Sequence, residues 1–345
     1  MLNKLIKLLV CHVHTAKVVI VGMAICLLIM ACAPQVILPK KGGGIPSFDK
    51  NAFISFDQTV LAYKKWLPEN KPIQKIVIAL HGFNDYSNFF EGTGNWLIQF
   101  GIASYAYDQR GFGGSPHKGF WAGSLAMQND LKSFIQLIKR THPKTPIYVL
   151  GESMGGAVVM TTMTQGSAPK VNGLILVAPA VWGKHTMPWY QRWALNVANY
   201  TVPWVTLTGS GLKIKPSDNI PMLKKLGKDP LIIRETRIVA IHGLSTLMGE
   251  ALKSASELKG HVLILYGERD EIIPKRPTKM MLDNLPILMH QTQRIALYEE
   301  GYHMLLRDLN AQIPQQDILS WINAPQNPLP SKADIRPIEG LLENH

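Results

Sequence analysis

Along the body of the chain, short runs of uniformly apolar residues alternate with longer runs in which apolar residues recur every three or four positions. Residues 76–80, 147–150, 174–178 and 262–266 are runs of the first kind. A strand with no polar face is one covered on both sides. Residues 104–107 and 294–297 are also strand-like, and 60–66 reads as an edge strand. Helical periodicity marks residues 88–100, 125–140 (through Leu131, Phe134, Ile135 and Ile138) and 155–164. Short apolar strands alternating with helices predict an α/β fold: a mostly parallel, doubly wound sheet with helices on both faces. The alternation stops at Pro179 and resumes at Val262.

The N-terminus follows another rule. Lys4, Lys7 and Lys17 precede an apolar run over residues 18–31, too short for a span of about 20 residues. A basic segment followed by such a run has the proportions of a secretory signal. It ends Leu28-Ile29-Met30-Ala31-Cys32, which resembles the bacterial lipobox, whose cysteine is diacylated and becomes the new N-terminus. On that resemblance, residues 1–31 are a signal peptide and Cys32 is the lipidation site. Because Ala33 follows where an acid would favour inner-membrane retention, the expected location is the outer membrane, facing the periplasm. A plain N-terminal anchor and a cleaved soluble export signal are the competing readings. Residues 32–50, with Lys40-Lys41-Gly42-Gly43-Gly44, read as a flexible tether.

Composition narrows the classes. The chain has 345 residues, 46% hydrophobic and 17% charged, which suits a large globular domain. All three cysteines, Cys11, Cys26 and Cys32, fall before residue 33, leaving no thiol in the body for a disulfide or a thiolate metal site. Residues 1–31 hold three lysines and no acid, so their removal takes the net charge from +12 to +9. No zinc-finger spacing or aromatic RNA-binding motif accompanies that charge, which argues against nucleic acid as a partner.

The chemistry gathers where strands end. Strand 147–150 runs into Gly151-Glu152-Ser153-Met154-Gly155 and then an apolar helix. This is a G-x-S-x-G nucleophile elbow in its strand–turn–helix context. Gly151 and Gly155 leave room for a turn too tight for side chains, and Ser153 is the candidate nucleophile. A serine hydroxyl needs a base, and the base an orienting acid. In a doubly wound sheet these groups sit beyond the carboxyl ends of strands. His303, after the last strand, is the candidate base; His185, His242, His290 and His345 are misplaced for it. Glu268, Asp270 and Glu271 follow strand 262–266 as candidate acids. The oxyanion hole needs two backbone N–H groups: Met154, directly after the nucleophile, and Phe83, in the loop after strand 76–80. His81 reads as a structural histidine bracing that loop, and residues 108–114 as a turn supporting the rim. No metal-ligand cluster, phosphate-binding loop or dinucleotide fingerprint follows any strand, so no metal and no cofactor is expected.

From about Phe53 to Trp321 the chain resembles the monoglyceride lipase and lysophospholipase group of α/β-hydrolases. The resemblance rests on His81-Gly82-Phe83, Asp108-Gln109-Arg110-Gly111-Phe112-Gly113-Gly114-Ser115, residues 151–156, residues 267–270 and Gly301-Tyr302-His303. It implies that Asp270 is the acid, giving the chain order Ser, Asp, His. It also implies a cofactor-free esterase acting on a single-acyl-chain lipid ester through an acyl-enzyme. The chain departs from the group at Phe83-Asn84, where a smaller residue and an acidic or glycine-rich stretch are usual. A peptidase or an acyltransferase on the same scaffold is the first alternative, and a non-catalytic lipid-binding lipoprotein the second.

The hydrolase domain is therefore expected over residues 51–323, with a lid inserted at about 180–250 and a proline-rich tail at 324–345 that adds little to the core. The insertion carries four of the eight tryptophans, Trp182, Trp189, Trp193 and Trp204, with Met187, Leu195, Val202, Leu207 and Leu212. It also carries nine Lys or Arg against four acids. Tryptophan with basic residues suits a surface that lines an acyl pocket and rests on a membrane.

Overall fold

A computed structural model describes Val19 and residues 36–40, 43–209, 211, 213–286 and 292–337. The three cysteines, and with them the signal-peptide and lipidation expectations, lie outside the described residues. Leu212, His290 and His345 lie outside them too.

The main sheet is built from β1 (Ser47–Asp49), β2 (Ala52–Ile54), β3 (Val60–Trp66), β4 (Lys75–Leu80), β5 (Ile102–Tyr107), β6 (Ile147–Glu152), β7 (Gly173–Val177), β10 (Val262–Gly267) and β11 (Gln293–Tyr298). Their spatial order is β1-β2-β3-β5-β4-β6-β7-β10-β11. From β5 to β11 every pairing is parallel, while β1, β2 and β3 form an antiparallel flank. Pleat alternation sorts the apolar residues. Ile76, Ile78 and Leu80 face one core while Val77 and Ala79 face the other. On the first face pack α2 (Ser124–Thr141), α3 (Met154–Met163), α6 (Ile238–Ser254) and α7 (Lys275–Asp283). On the second pack α1 (Glu91–Leu97) and α8 (Gln312–Asn323). The expected α/β-hydrolase architecture is the one observed.

Several boundaries differ from expectation. β3 is no edge strand, because β2 and β5 pair on either side of it. Its polar Lys64 and Lys65 carried the edge-like pattern, but they sit where the sheet is solvated. Residues 47–49, expected at the end of the tether, form β1. Nearby, Ile37 donates its N–H to the Trp121 carbonyl at 3.0 Å. The segment after α8 also packs more than expected: Leu329 and Ala333 are buried against Trp321 and Leu306, and Asp334 pairs with Arg294 at 3.1 Å. The helix expected over 88–100 is split by single-turn helices on both sides of α1.

The insertion contains α4 (Trp189–Thr201), a ribbon of β8 (Thr206–Thr208) with β9 (Glu235–Arg237), and α5 (Ile220–Leu226). It ends earlier than expected. α6 belongs to the scaffold: it lies on α3, with Leu247, Ala251 and Leu252 in the main core. Gly183 packs on it backbone to backbone, so a side chain on Gly183 would clash with Gly249, and a side chain on Gly243 would clash with the Trp121 ring. Among the described residues, no helix is long and apolar enough to cross a membrane.

A buried ion cluster fixes the outer flank. Arg110 donates from Nη2 to Asp57 Oδ1 at 2.7 Å and from Nε to Asp130 Oδ2 at 2.6 Å. Ser55 and Thr59 complete the cluster. Despite burial, the guanidinium holds the Asp57 carboxyl down at about 2.

Candidate active site

Ser153 sits between β6 and α3 with φ +53° and ψ −116°. That region is costly for any residue with a side chain. The conformation is enforced from both sides: Ser153 N–H donates to the Val177 carbonyl at 2.9 Å, and its own carbonyl accepts from Ala180 and Ala157. Gly155 presses against the Leu80 and His81 carbonyls and Gly151 against Gly155, so a methyl group at either would meet backbone within 2.5 Å. Both elbow glycines thus stand where close approach requires them.

His303 and Asp270 come from the loops after β11 and β10. His303 Nδ1 lies 2.7 Å from Asp270 Oδ2, and both side chains are buried. Asp270 Oδ1 accepts the N–H groups of Ile272 and Ile273 at 2.7 and 2.9 Å. Burial pulls the His303 imidazole down, but the Asp270 carboxylate outweighs it and leaves the ring above its ordinary value. Glu268 instead pairs with Arg336, and Glu271 accepts the Lys215 N–H, so Asp270 is the acid that reaches the ring.

The other expected residues gather at the same place. Ser153, His303, Gly82 and Phe83 line one cavity of about 340 Å³. Met154 opens α3, where a first-turn N–H has no acceptor within the helix. His81 braces its loop as expected: Nε2 accepts the Gln109 N–H at 2.8 Å and Nδ1 donates to the Gly82 carbonyl at 2.7 Å. Asp108 likewise supports the rim, accepting the N–H groups of Ser87 and Gly114.

The rest of the cavity wall is apolar. Trp182 and Met187 come from the insertion, Ile241, Leu244 and Met248 from α6, and Ile272 and Ile273 from the acid loop. At one end the wall turns polar, with Asp85, Glu152 and Arg307. Among the described residues no group of three or more His, Cys, Asp or Glu could hold a metal ion.

Sequence reading missed the ties between the insertion and the loops below it. Asn84, at φ +64°, donates from Nδ2 to Thr236 Oγ1 at 2.7 Å, and its carbonyl accepts the Ile233 N–H. Residues 215–219 are stitched to the loop around His303. Met304 N–H donates to the Pro216 carbonyl at 3.0 Å, Ser217 Oγ to Asp308 Oδ1 at 2.6 Å, and Lys215 Nζ to the Tyr302 hydroxyl at 3.0 Å. Asp308 also accepts the Tyr302 N–H at 2.9 Å. Only the unusual Asn at position 84 gave any signal in the sequence.

The insertion's outer surface is aromatic and basic. Trp189, Trp193, Val197 and Tyr200 form one stripe along α4, and the two tryptophans are 73% and 64% exposed. Trp204 and Leu207, beyond the helix, are exposed too, as are Arg192, Lys213, Lys224, Lys225 and Lys228 on the same insertion.

A family model for Hydrolase_4, described as serine aminopeptidase S33, matches residues 71–310. The chain is similar to a monoacylglycerol lipase of Mycolicibacterium smegmatis, with 20% identity over 79% of this chain and 96% of that one. It is similar also to human monoglyceride lipase, with 22% identity over 77% of this chain and 86% of that one. Among solved structures, a soluble variant of monoglyceride lipase from Saccharomyces cerevisiae, in complex with a substrate analog, superposes with a TM-score of 0.67. It is 21% identical and covers 84% of this chain and 99% of its own.

Proposed function

The chain belongs to the Hydrolase_4 family, and on that footing we propose that it is a serine esterase hydrolysing single-acyl-chain lipid esters, a monoacylglycerol or a lysophospholipid. The observation that carries this reading is the cavity itself. Ser153 and His303, the latter paired with Asp270, line a mostly apolar pocket of about 340 Å³, a size ordinary for small-molecule sites. Two relatives of about 20% identity are named for monoacylglycerol hydrolysis.

In this reading Ser153 Oγ attacks the ester carbonyl while His303 Nε2 takes its proton. The tetrahedral oxyanion is held by the N–H groups of Met154 and Phe83. The imidazolium returns the proton to the departing alcohol, leaving an acyl-serine, and a water activated by His303 releases the fatty acid. Asp270 fixes the ring so that Nε2 faces the serine. The apolar wall takes the acyl chain.

We place the protein at a membrane surface. Cys32 is the proposed lipid attachment site, and the tryptophan stripe of α4 with its basic neighbours is the proposed contact with anionic headgroups.

The test is a hydrolysis panel of short esters, monoacylglycerols, lysophospholipids and N-terminal proline peptides, run beside fluorophosphonate labelling. Labelling of Ser153 with preference for monoacyl esters supports the reading. Preference for the peptides makes the chain an aminopeptidase instead, and absence of labelling removes the serine mechanism.

A further inference from the structure

Arg307 lies four residues beyond His303, and its guanidinium is buried at the polar end of the cavity. Nη1 donates to Asp85 Oδ2 at 2.7 Å and Nη2 to Glu152 Oε1 at 2.6 Å. The Arg307 carbonyl accepts from Asn219 Nδ2 at 2.9 Å, and its N–H donates to the Met304 carbonyl at 2.7 Å. The two carboxylate partners belong to the other two parts of the site. Glu152 directly precedes Ser153 in the elbow, and Asp85 lies two residues beyond Phe83. One side chain therefore bonds the base loop to the nucleophile turn and to the oxyanion loop.

We propose that Arg307 is a positioning residue for the esterase reaction, locking these three loops in one register and cancelling the carboxylate of Glu152 beside the His303 ring. The proposal rests on the serine-esterase reading and goes beyond it, since neither the elbow motif nor the triad requires an arginine here.

A guanidinium that gives one Nη to each carboxylate suits the task. It is planar, permanently charged and directional, so it fixes two carboxylates in angle as well as distance. The charges facing His303 are Asp270 from the β10 loop, Glu152 from the end of β6 and Arg307 on its own loop. Asp85, from the β4 loop, faces Arg307. Asp270 and Glu152 favour the protonated ring, and Arg307 opposes them. Burial raises the Glu152 carboxyl and Arg307 opposes that rise; in its charged form, and without Arg307, Glu152 would hold a proton on the imidazole that must act as base and would repel the forming oxyanion. Glu152 Oε2 and Arg307 Nε are buried without hydrogen-bond partners, and both residues line the cavity.

The experiment compares the native enzyme with Arg307→Met, Glu152→Gln and the double variant, on p-nitrophenyl butyrate, whose leaving group carries no hydroxyl for a polar wall to bind. Arg307→Met is expected to lower kcat by about 100-fold, the scale of an ångström's misplacement, with little change in KM. The acid limb of its kcat/KM profile should move to higher pH. Adding Glu152→Gln should return the limb toward its native position. Loss of activity with the limb unmoved makes Arg307 merely structural and overturns the proposal. So does unchanged turnover of this ester, which would assign Arg307 to head-group binding alone. If Arg307→Met does not fold, Glu152→Gln alone decides: its limb should move to lower pH, and an unmoved limb overturns the proposal. Failure of the native enzyme to react with a fluorophosphonate refutes the esterase reading itself, a result separable from all of these.

Discussion

His303 Nδ1 stands 2.7 Å from Asp270 Oδ2, and the other oxygen of Asp270 is committed to the N–H groups of Ile272 and Ile273. The carboxylate can neither rotate away nor release the ring without losing two backbone bonds. Asp270→Asn should therefore keep the loop geometry while presenting the wrong hydrogen-bonding pattern to Nδ1. In a serine triad that exchange costs about 10⁴ in kcat. Hydrolysis of p-nitrophenyl butyrate by the purified variant checks it, and a loss below tenfold would remove Asp270 from the mechanism.

The same pair sets the pH dependence. Burial pulls the folded imidazole down, but the carboxylates of Asp270 and then Glu152 leave it above its ordinary value. A base must be neutral, so kcat/KM should rise with pH through an inflection above about 6.5, the ordinary histidine value. The sign for stability is the opposite: the pairing favours the protonated ring, so its contribution is present at low pH and lost as pH rises through the raised value. A kcat/KM profile inflecting below 6 would contradict this balance.

Ser153 is held at φ +53°, a conformation in which glycine meets no penalty. Ser153→Gly should abolish esterase activity and raise stability. Relief of strain gives about 1–3 kcal/mol, and the greater freedom of unfolded glycine removes about 0.5–1 kcal/mol of it. Ser153→Ala keeps the strain, so it should lose about 10⁴–10⁶ in kcat with Tm nearly unchanged. Thermal unfolding of the two variants side by side reads the difference.

Most of the hydrolase scaffold was legible because parallel strands covered on both faces are unmistakably apolar, as in residues 76–80 and 262–266. The elbow was legible for a different reason: Gly151, Ser153 and Gly155 are required by local geometry that one strand–turn–helix segment already contains. His303 and the acid loop followed from topology, which brings the ends of β10 and β11 to the elbow. What escaped depends on distant partners. Nothing near Arg307 in the chain announces Asp85 or Glu152. β1 is too short for a periodicity, and α6 looked like lid because its apolar face reads the same over a pocket as over α3.

Arg110 illustrates a second such distant set. Its guanidinium joins Asp57 and Asp130 inside the flank of the sheet. Arg110→Met would strand two buried carboxylates, a change that costs about 3–5 kcal/mol when one partner of a buried pair is removed. Urea unfolding monitored by tryptophan fluorescence should show this loss, with the slope of the transition preserved. A shift under 1 kcal/mol would mean that the acids find protons or water at little cost.

The stripe of Trp189, Trp193 and Tyr200 along α4 is the most exposed aromatic surface among the described residues, while Trp182 and Met187 of the same insertion turn inward to the cavity. One short insertion thus presents apolar side chains in both directions. An outward stripe is costly in water unless something apolar covers it, and the exposed Arg192, Lys213, Lys224, Lys225 and Lys228 point to a surface that is anionic as well. Anionic vesicles should therefore bind a form lacking residues 1–32 more tightly than neutral ones. The preference should fade as salt shortens the Debye length from about 10 Å at 0.1 M to about 3 Å at 1 M. Replacing Lys224, Lys225 and Lys228 by Glu should erase the preference for anionic lipid. Replacing Trp189 and Trp193 by Ser should weaken binding to both kinds of vesicle. Neither change should alter hydrolysis of a short soluble ester, since none of these side chains lines the cavity that holds Ser153. Equal binding to both vesicles, indifferent to all five substitutions, would detach the membrane from the insertion and leave Cys32 as its sole proposed link.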